Sequence, residues 1–440
     1  SIPSAVNGGH NETTAAYRLF DNGRVDFENI LEPHIDATYE RLAQEQTVIV
    51  AQDTTELDLT RPKVQVEGAG PLDGNSRFGE LLHPLVAFTP NGTPLGTLSG
   101  ELWTREHGPS KADDRKNLPI EQKESVRWLD THRHAQEIAQ QYPETQIVCV
   151  ADSEADIFEV IELEQESPEN FQWIIRSCYD RSLVSAGSDE ATRLHEQFTN
   201  CDVIYRKQIH VRGRDQKLAC DRRARKQPRN SRQCEVEVRA MTVTLRSPHR
   251  PDRKLKNTTV NAVLAQEVDP PEGDVPVSWL LLTNMPISTE KEIEFVICYY
   301  CIRWMIEIFF RTLKSGCRIE ARRFETIERF ERCLAVSMVI AWRTLYTTRI
   351  GREYPDVSCE CVFTADEWQP VYQLVTKEPP PKKAPTLSRM IRLVARLGGY
   401  VDRARDDEPG PDSTMRGMER LHDISACWRS FGPAAQLIGS

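Results

Sequence analysis

Thr47-Val48-Ile49-Val50-Ala51-Gln52-Asp53 decides the fold class. The short apolar run, rich in β-branched residues, reads as a buried strand that ends on an acid. Gln146-Ile147-Val148-Cys149-Val150-Ala151-Asp152 repeats the pattern, again closing on aspartate. Helical patterns surround the two runs: Ala15 to Phe20, Glu28 to Gln44, about Ile120 to Gln141, and Glu154 to Leu163. Further strands are expected at Leu81 to Phe88, Thr93 to Leu102 and Phe171 to Ser177, with Asn91-Gly92 as a hairpin turn. Strands alternating with helices argue for an α/β layer architecture. Both aspartates stand at the carboxyl ends of their strands, where open α/β sheets build their sites.

From about Cys201 to Asn284 the character changes to β-rich, with alternating Met241-x-Val243-x-Leu245 and an apolar run from Thr258 to Gln266. Between Cys201 and Val260 there are 17 Lys and Arg against 6 Asp and Glu. That local +11 leaves −21 for the rest of a chain whose total is −10. Such asymmetry points to a segment that meets a polyanion, carried on an acidic body; a solvated basic surface is the plainer alternative.

A length of 440 residues suggests two or three domains, and 39% hydrophobic residues exclude wholesale disorder. No stretch approaches the ~20 apolar residues of a membrane span, and no signal-peptide h-region is present, so a soluble intracellular chain is expected. Reduced thiols are expected for its 12 cysteines. Cys298-x-x-Cys301 sits inside a helical pattern without a second ligand pair, so both read as buried core cysteines rather than zinc ligands.

Thr289 to Gly316 reads as one long helix closed by its glycine. On a wheel of about 100° per residue, Tyr300, Arg303, Glu307, Arg311 and Lys314 share an arc of about 80°. The other sides are apolar (Ile302, Met305, Ile306, Ile308, Phe309, Phe310, Leu313), so only one charged stripe is left to face solvent or a ligand. An i,i+4 ladder of Arg303, Glu307 and Arg311 explains three of the five residues. Cations beside one carboxylate on a mostly buried helix suit a metal-binding acid next to a phosphate backbone. Three carboxylates on separate elements are what two-metal phosphoryl chemistry requires, because Mg2+ takes hard oxygen ligands and few protein carboxylates. Glu56, Asp58, Glu154 and Asp156 remain candidates on spacing alone. A second helix follows from about Thr326 to Arg349, then the stiff linker Glu378-Pro379-Pro380-Pro381-Lys382-Lys383 and a helical tail.

Tyr300-x2-Arg303-x3-Glu307-x6-Lys314 resembles the Tyr-Arg-Glu-Lys signature of the insertion-sequence-four class of DDE transposases, in the branch typified by the transposon-five enzyme. Gln52-Asp53-Thr54-Thr55, Ala151-Asp152-Ser153-Glu154-Ala155-Asp156, Trp279-Leu280-Leu281-Leu282-Thr283 and Gly398-Gly399-Tyr400 agree and fall in family order. Ser153 stands where the family has Arg, and Ser413-Thr414-Met415 where it has Ala-Leu-Trp. The resemblance implies an RNase H-like core, a mixed sheet flanked by helices, with a β-rich insertion and a helical C-terminal module. It implies Asp53, Asp152 and Glu307 as catalytic ligands of two Mg2+ ions, with Mn2+ able to substitute. Tyr300, Arg303 and Lys314, with the stripe cation Arg311, would grip the DNA backbone. Trp279 resembles the tryptophan that stacks on a flipped base, a strand-core role being its alternative.

The expected organisation is a remnant of the N-terminal DNA-recognition region at 1–45 and a first core part at 46–200. The basic insertion follows at 201–288, the second core part with the Glu307 helix at 289–355, and a dimerisation module at 356–440. The expected partners are double-stranded DNA, both terminal inverted repeats and target, and a second copy of the chain. The expected location is a bacterial-type cytoplasm, on the nucleoid, without a membrane. The implied activity is metal-dependent strand cleavage through hairpin ends, followed by strand transfer. Ser1 is not Met and the recognition segment before Ala15 is largely missing, so a truncated relic that binds DNA and dimerises without cutting stays open. A general RNase H-like nuclease is a third reading; it explains the acids but not the signature spacing.

Overall fold

A computed structural model describes residues 9–73, 76–107, 118–163, 167–184, 192–211, 230–403 and 406–431. Its strands are β1 (Thr47–Gln52), β2 (Thr55–Asp58), β3 (Gly70–Asp73), β4 (Arg77–Phe88), β5 (Pro94–Trp103), β6 (Gln146–Ala151), β7 (Phe171–Arg176), β8 (Tyr205–Val211), β9 (Arg232–Leu245), β10 (Thr258–Glu267) and β11 (Ser278–Thr283). Its α-helices are α1 (His10–Phe20), α2 (Phe27–Leu42), α3 (Val126–Gln141), α4 (Phe158–Glu162), α5 (Leu194–Thr199), α6 (Glu290–Ile302), α7 (Trp304–Arg311), α8 (Ile327–Glu353), α9 (Ala365–Thr376), α10 (Leu387–Leu397) and α11 (Pro411–Phe431). The chain divides into two units: Gln46–Asp53 with Lys111–Trp304, and Ser1–Glu45 with Thr54–Ser110 and Met305–Ser440.

In the first of these units the strand order is β1-β6-β7-β11-β10-β9-β8. β1, β6 and β7 run parallel, whereas β11 turns antiparallel to β7 and the rest continue as an antiparallel ribbon. After their first residue β1 and β6 are buried throughout, the condition that makes a parallel strand read as a continuous apolar run. α3 packs on β6 and β1 through Trp128, Leu129, His132, Ala135 and Ile138, one face of a helix. α6 lies on β1, β6 and β7 through Ile293, Val296 and Tyr300, and starts with a Thr289/Glu292 capping box. This is the mixed sheet flanked by helices that the resemblance implies, with the β-rich ribbon leading away from it.

In the other unit β4 pairs antiparallel with β2, β3 and β5. The Asn91-Gly92 turn joins β4 to β5, with Gly92 at φ 82°. α2 covers β5, and the 27-residue α8 packs on both. The C-terminal helices α9, α10 and α11 share a core of Phe363, Trp368, Val371, Leu387, Leu393 and Leu421. Two glycines let α10 and α11 approach: a Cβ on Gly417 would stand 2.0 Å from the Val394 carbonyl oxygen, and one on Gly398 1.9 Å from that of Ser413. The tail motif Gly398-Gly399 is therefore a backbone-contact requirement, as well as a turn with Gly399 at φ 95°.

Several expectations give way. Thr289 to Gly316 is not one helix. It breaks at Arg303, whose amide bonds the Tyr300 carbonyl at 3.1 Å, and ends in a π-helical turn, Thr312–Gly316. The Thr312 hydroxyl donates to the Ile308 carbonyl at 2.8 Å, a side-chain competitor that bends helices, and the Cys317 amide reaches back five residues to Thr312. Periodicity of apolar residues does not register such a turn. Glu154 to Leu163 is likewise a 3-10 turn, Ser153–Ala155, followed by the short α4, and the helix expected from Ile120 begins as a separate 3-10 turn. Cys298 and Cys301 are exposed, not buried: the apolar face of α6 is carried by Ile293, Val296 and Tyr300. β2, β3 and β8 lack an apolar run and escape the sequence reading.

Glu80, on β4, is 1% exposed and its carboxyl meets Glu331 of α8. Burial, then Glu331 and Glu328, push it far above the usual carboxylate range. The folded chain therefore keeps a proton that the unfolded chain releases above about pH 4.3, so stability falls as pH rises beyond that point. Glu80→Gln is expected to raise the melting temperature, by a margin that widens from pH 5 to pH 9. A margin that shrinks with pH would contradict a protonated Glu80.

Candidate active site

The β1–β6 register ends at Ala51 opposite Val150. Two residues further along each strand stand Asp53 and Asp152, so the carboxylates leave adjacent parallel strands at matched positions. Neighbouring strands lie about 4.8 Å apart, which puts like charges side by side. Asp152 also caps the 3-10 turn after β6, its Oδ1 accepting from the Glu154 amide at 2.7 Å. Asp53 is met by a cation: Arg303 Nη1 lies 3.4 Å from its Oδ2.

Arg303 is positioned by the end of α6 and is itself buried. Its guanidinium lies over the rings of Tyr300, at 5.8 Å, and Trp304, at 5.2 Å. The Tyr300 ring tilts against Trp279 at 6.5 Å. Burial pushes the Tyr300 hydroxyl up, with Arg303 and Arg176 opposing and Asp152 adding, so the phenol stays protonated at neutral pH. Trp279 is half-buried on β11, opposite Ala265, and packs on the small cluster of Val211, Cys234, Val236 and Val277. Five predicted residues (Asp53, Asp152, Trp279, Tyr300, Arg303) thus belong to one end of the first unit. Tyr300 and Arg303 are buried rather than on an exposed stripe. Trp304 is 49% exposed beside Arg303, and no spacing signal marks it.

Glu307, Arg311 and Lys314 belong to the other unit. Glu307 and Arg311 are exposed on α7, and Arg311 Nε comes within 4.0 Å of Asp412. Lys314 sits in the π-helical turn, where its ammonium donates to the Glu56 carbonyl and pairs with Glu320 at 3.7 Å. Glu56 and Asp58 answer to Arg77, which also pairs with Asp73. Asp156 is fully buried and given over to Arg181, the Ser177 hydroxyl and two backbone amides. Three of the acids that spacing left open therefore have structural partners.

The basic stretch is less basic than its composition. Among the described residues Arg206, Lys207, Arg232, Arg239, Arg250 and Arg253 all form ion pairs with acids. The residues from 212 to 229, the densest part, lie outside the described residues.

The two strand-end aspartates are hard oxygen donors of the kind a divalent cation takes, and Arg303 already stands against one of them. Among the described residues no group of three His, Cys, Asp or Glu is gathered closely enough to hold a metal ion. No helix is long and apolar enough to cross a membrane.

Among solved structures, one described as "Cryo-EM structure of piggyBac transposase synaptic complex with hairpin DNA" is similar at a TM-score of 0.32 and 9% identity. The match covers 72% of this chain and 50% of that chain, so this chain spans about half its length. Residues 130–342 match the family model of the transposase DDE domain, a span that includes Asp152 and Glu307 and begins after Asp53. Residues 339–428 match that of the transposase Tn5 dimerisation domain. One chain thus carries a region matching the transposase DDE domain, followed directly by a region matching the transposase Tn5 dimerisation domain.

Proposed function

We propose that the chain is a cut-and-paste transposase of the insertion-sequence-four class, with Asp53, Asp152 and Glu307 as carboxylate ligands of two divalent metal ions. The observation that carries this reading is the matched placement of Asp53 and Asp152 at adjacent parallel strand ends. Bound Mg2+, or Mn2+ in its place, would supply activation of the attacking oxygen and stabilisation of the leaving one. Asp53 and Asp152 would hold those ions from the sheet and Glu307 from α7. Tyr300, Arg303, Arg311 and Lys314 would engage phosphates of the transposon end, where arginine's planar fork and lysine's point charge both serve. Trp279 would stack on a flipped base and offset part of the few kcal/mol that flipping costs.

In the proposed sequence water cleaves one strand, the freed 3′-OH attacks the opposite strand, the hairpin is opened, and the 3′ ends join target DNA. The substrates are the terminal inverted repeats and target duplex, bound by two copies of the chain. The division at 1–45, 46–200, 201–288, 289–355 and 356–440 belongs to this reading. The test is incubation of the full chain with terminal-repeat DNA and Mg2+, resolved on a denaturing gel. Nicked and then hairpin products are expected. Retarded but uncut DNA would favour the relic that binds and dimerises, and cleavage of any duplex without transfer would favour a general nuclease.

A further inference from the structure

The cation at Asp53 has a consequence for loading the site. Arg303 is 5% exposed and Asp53 13%, so their pair is largely withdrawn from water. The guanidinium is packed over Tyr300 and Trp304 and keeps its charge at every accessible pH. It neutralises one of two neighbouring carboxylates at the place a divalent cation would take. A second cation arriving there is repelled unless the arginine moves or meets an anion, and repulsion at this depth is weakly screened.

We propose that Arg303 is a built-in counter-cation for Asp53, and that divalent-ion binding at Asp53 and phosphate binding by Arg303 are coupled through an exchange of partners. The inference rests on the reading of Asp53 as a metal ligand. Without DNA, the ion competes with Arg303 for the carboxylate. When a phosphate takes the guanidinium, Arg303 no longer competes with the ion for Asp53. By linkage, each ligand strengthens the other by the same factor, and couplings of this kind run to about 5–150-fold. The site therefore stays weak for metal until DNA is in place.

The experiment is calorimetric titration of Mn2+ into the DNA-free full chain, comparing wild type, Arg303→Gln, Arg303→Lys and Asp53→Asn. Arg303→Gln is expected to bind the ion about fivefold more tightly or better, at the lower end of such couplings. Arg303→Lys keeps the charge and should stay near wild type, and Asp53→Asn should lose the ion. Unchanged or weaker binding in Arg303→Gln, with the ion still lost in Asp53→Asn, overturns the coupling and leaves the metal reading intact. Wild-type binding in Asp53→Asn overturns the metal reading itself. Should Arg303→Gln fail to fold, the wild-type chain decides. Mg2+ is then expected to change the fluorescence of Trp304, identified by its loss in Trp304→Phe, and a constant signal overturns the proposal.

Discussion

Glu307→Gln is expected to lose Mg2+-dependent strand cleavage by at least about a thousandfold, some 4 kcal/mol of transition-state stabilisation. The side chain is exposed on α7, so the amide isostere leaves the packing of Met305, Ile306, Phe309 and Phe310 untouched. Glutamine keeps the size and loses the charge, which a ligand of Mg2+ cannot spare. Binding to terminal-repeat DNA, measured by fluorescence anisotropy, should stay close to wild type or strengthen, because one negative charge leaves the surface proposed to meet phosphate. Cleavage within tenfold of wild type would remove Glu307 from the chemistry. Loss of binding together with cleavage would assign it to DNA contact or folding instead.

The largest loss of stability is expected at Asp156. Its carboxylate accepts from the Ser177 hydroxyl at 3.0 Å, the Cys178 amide at 2.8 Å, the Tyr179 amide at 3.2 Å and Arg181 Nε at 3.1 Å. It is wholly buried, and Arg181 is 12% exposed. Asp156→Ala strands a largely buried guanidinium and leaves two part-buried amides without their acceptor, so a cost of about 3–5 kcal/mol is expected. A fall in melting temperature on the order of 10 °C would register it. The double variant Asp156→Leu/Arg181→Met should recover much of the loss, since the unpaired charge is the greater part of it. A single variant that melts within 2 °C of wild type, a limit of about 1 kcal/mol, would show the network to be idle.

Asp156 also illustrates what a sequence can and cannot reveal. It lies four residues past Asp152 in a stretch dense with acids, and no spacing separates a ligand from a structural carboxylate. The distinction comes from Arg181, reached only after the chain has crossed β7 and returned. Arg303 met Asp53 in the same way, across 250 positions, and no local pattern announces that pair. By contrast β1 and β6 were plain, because strands buried on both faces have few apolar alternatives to β-branched runs. The edge strand β8 was hidden for the opposite reason: Arg206, Lys207 and Gln208 are exposed and polar, as suits an edge. The break at Arg303 and the π-helical turn at Thr312 were invisible to a helical wheel, since backbone geometry changed while the residue pattern did not.

The claim that Asp53, Asp152 and Glu307 share one pair of ions is tested most directly by iron-mediated cleavage of the polypeptide. Fe2+ replaces Mg2+ in the DNA-bound chain, peroxide and ascorbate generate radicals at the bound ion, and the cuts are mapped by mass spectrometry. Cuts beside Asp53, Asp152 and Glu307 together, suppressed by excess Mg2+, are predicted. Cuts that omit any one of the three, or that gather at Glu56 and Asp58, would contradict the shared site.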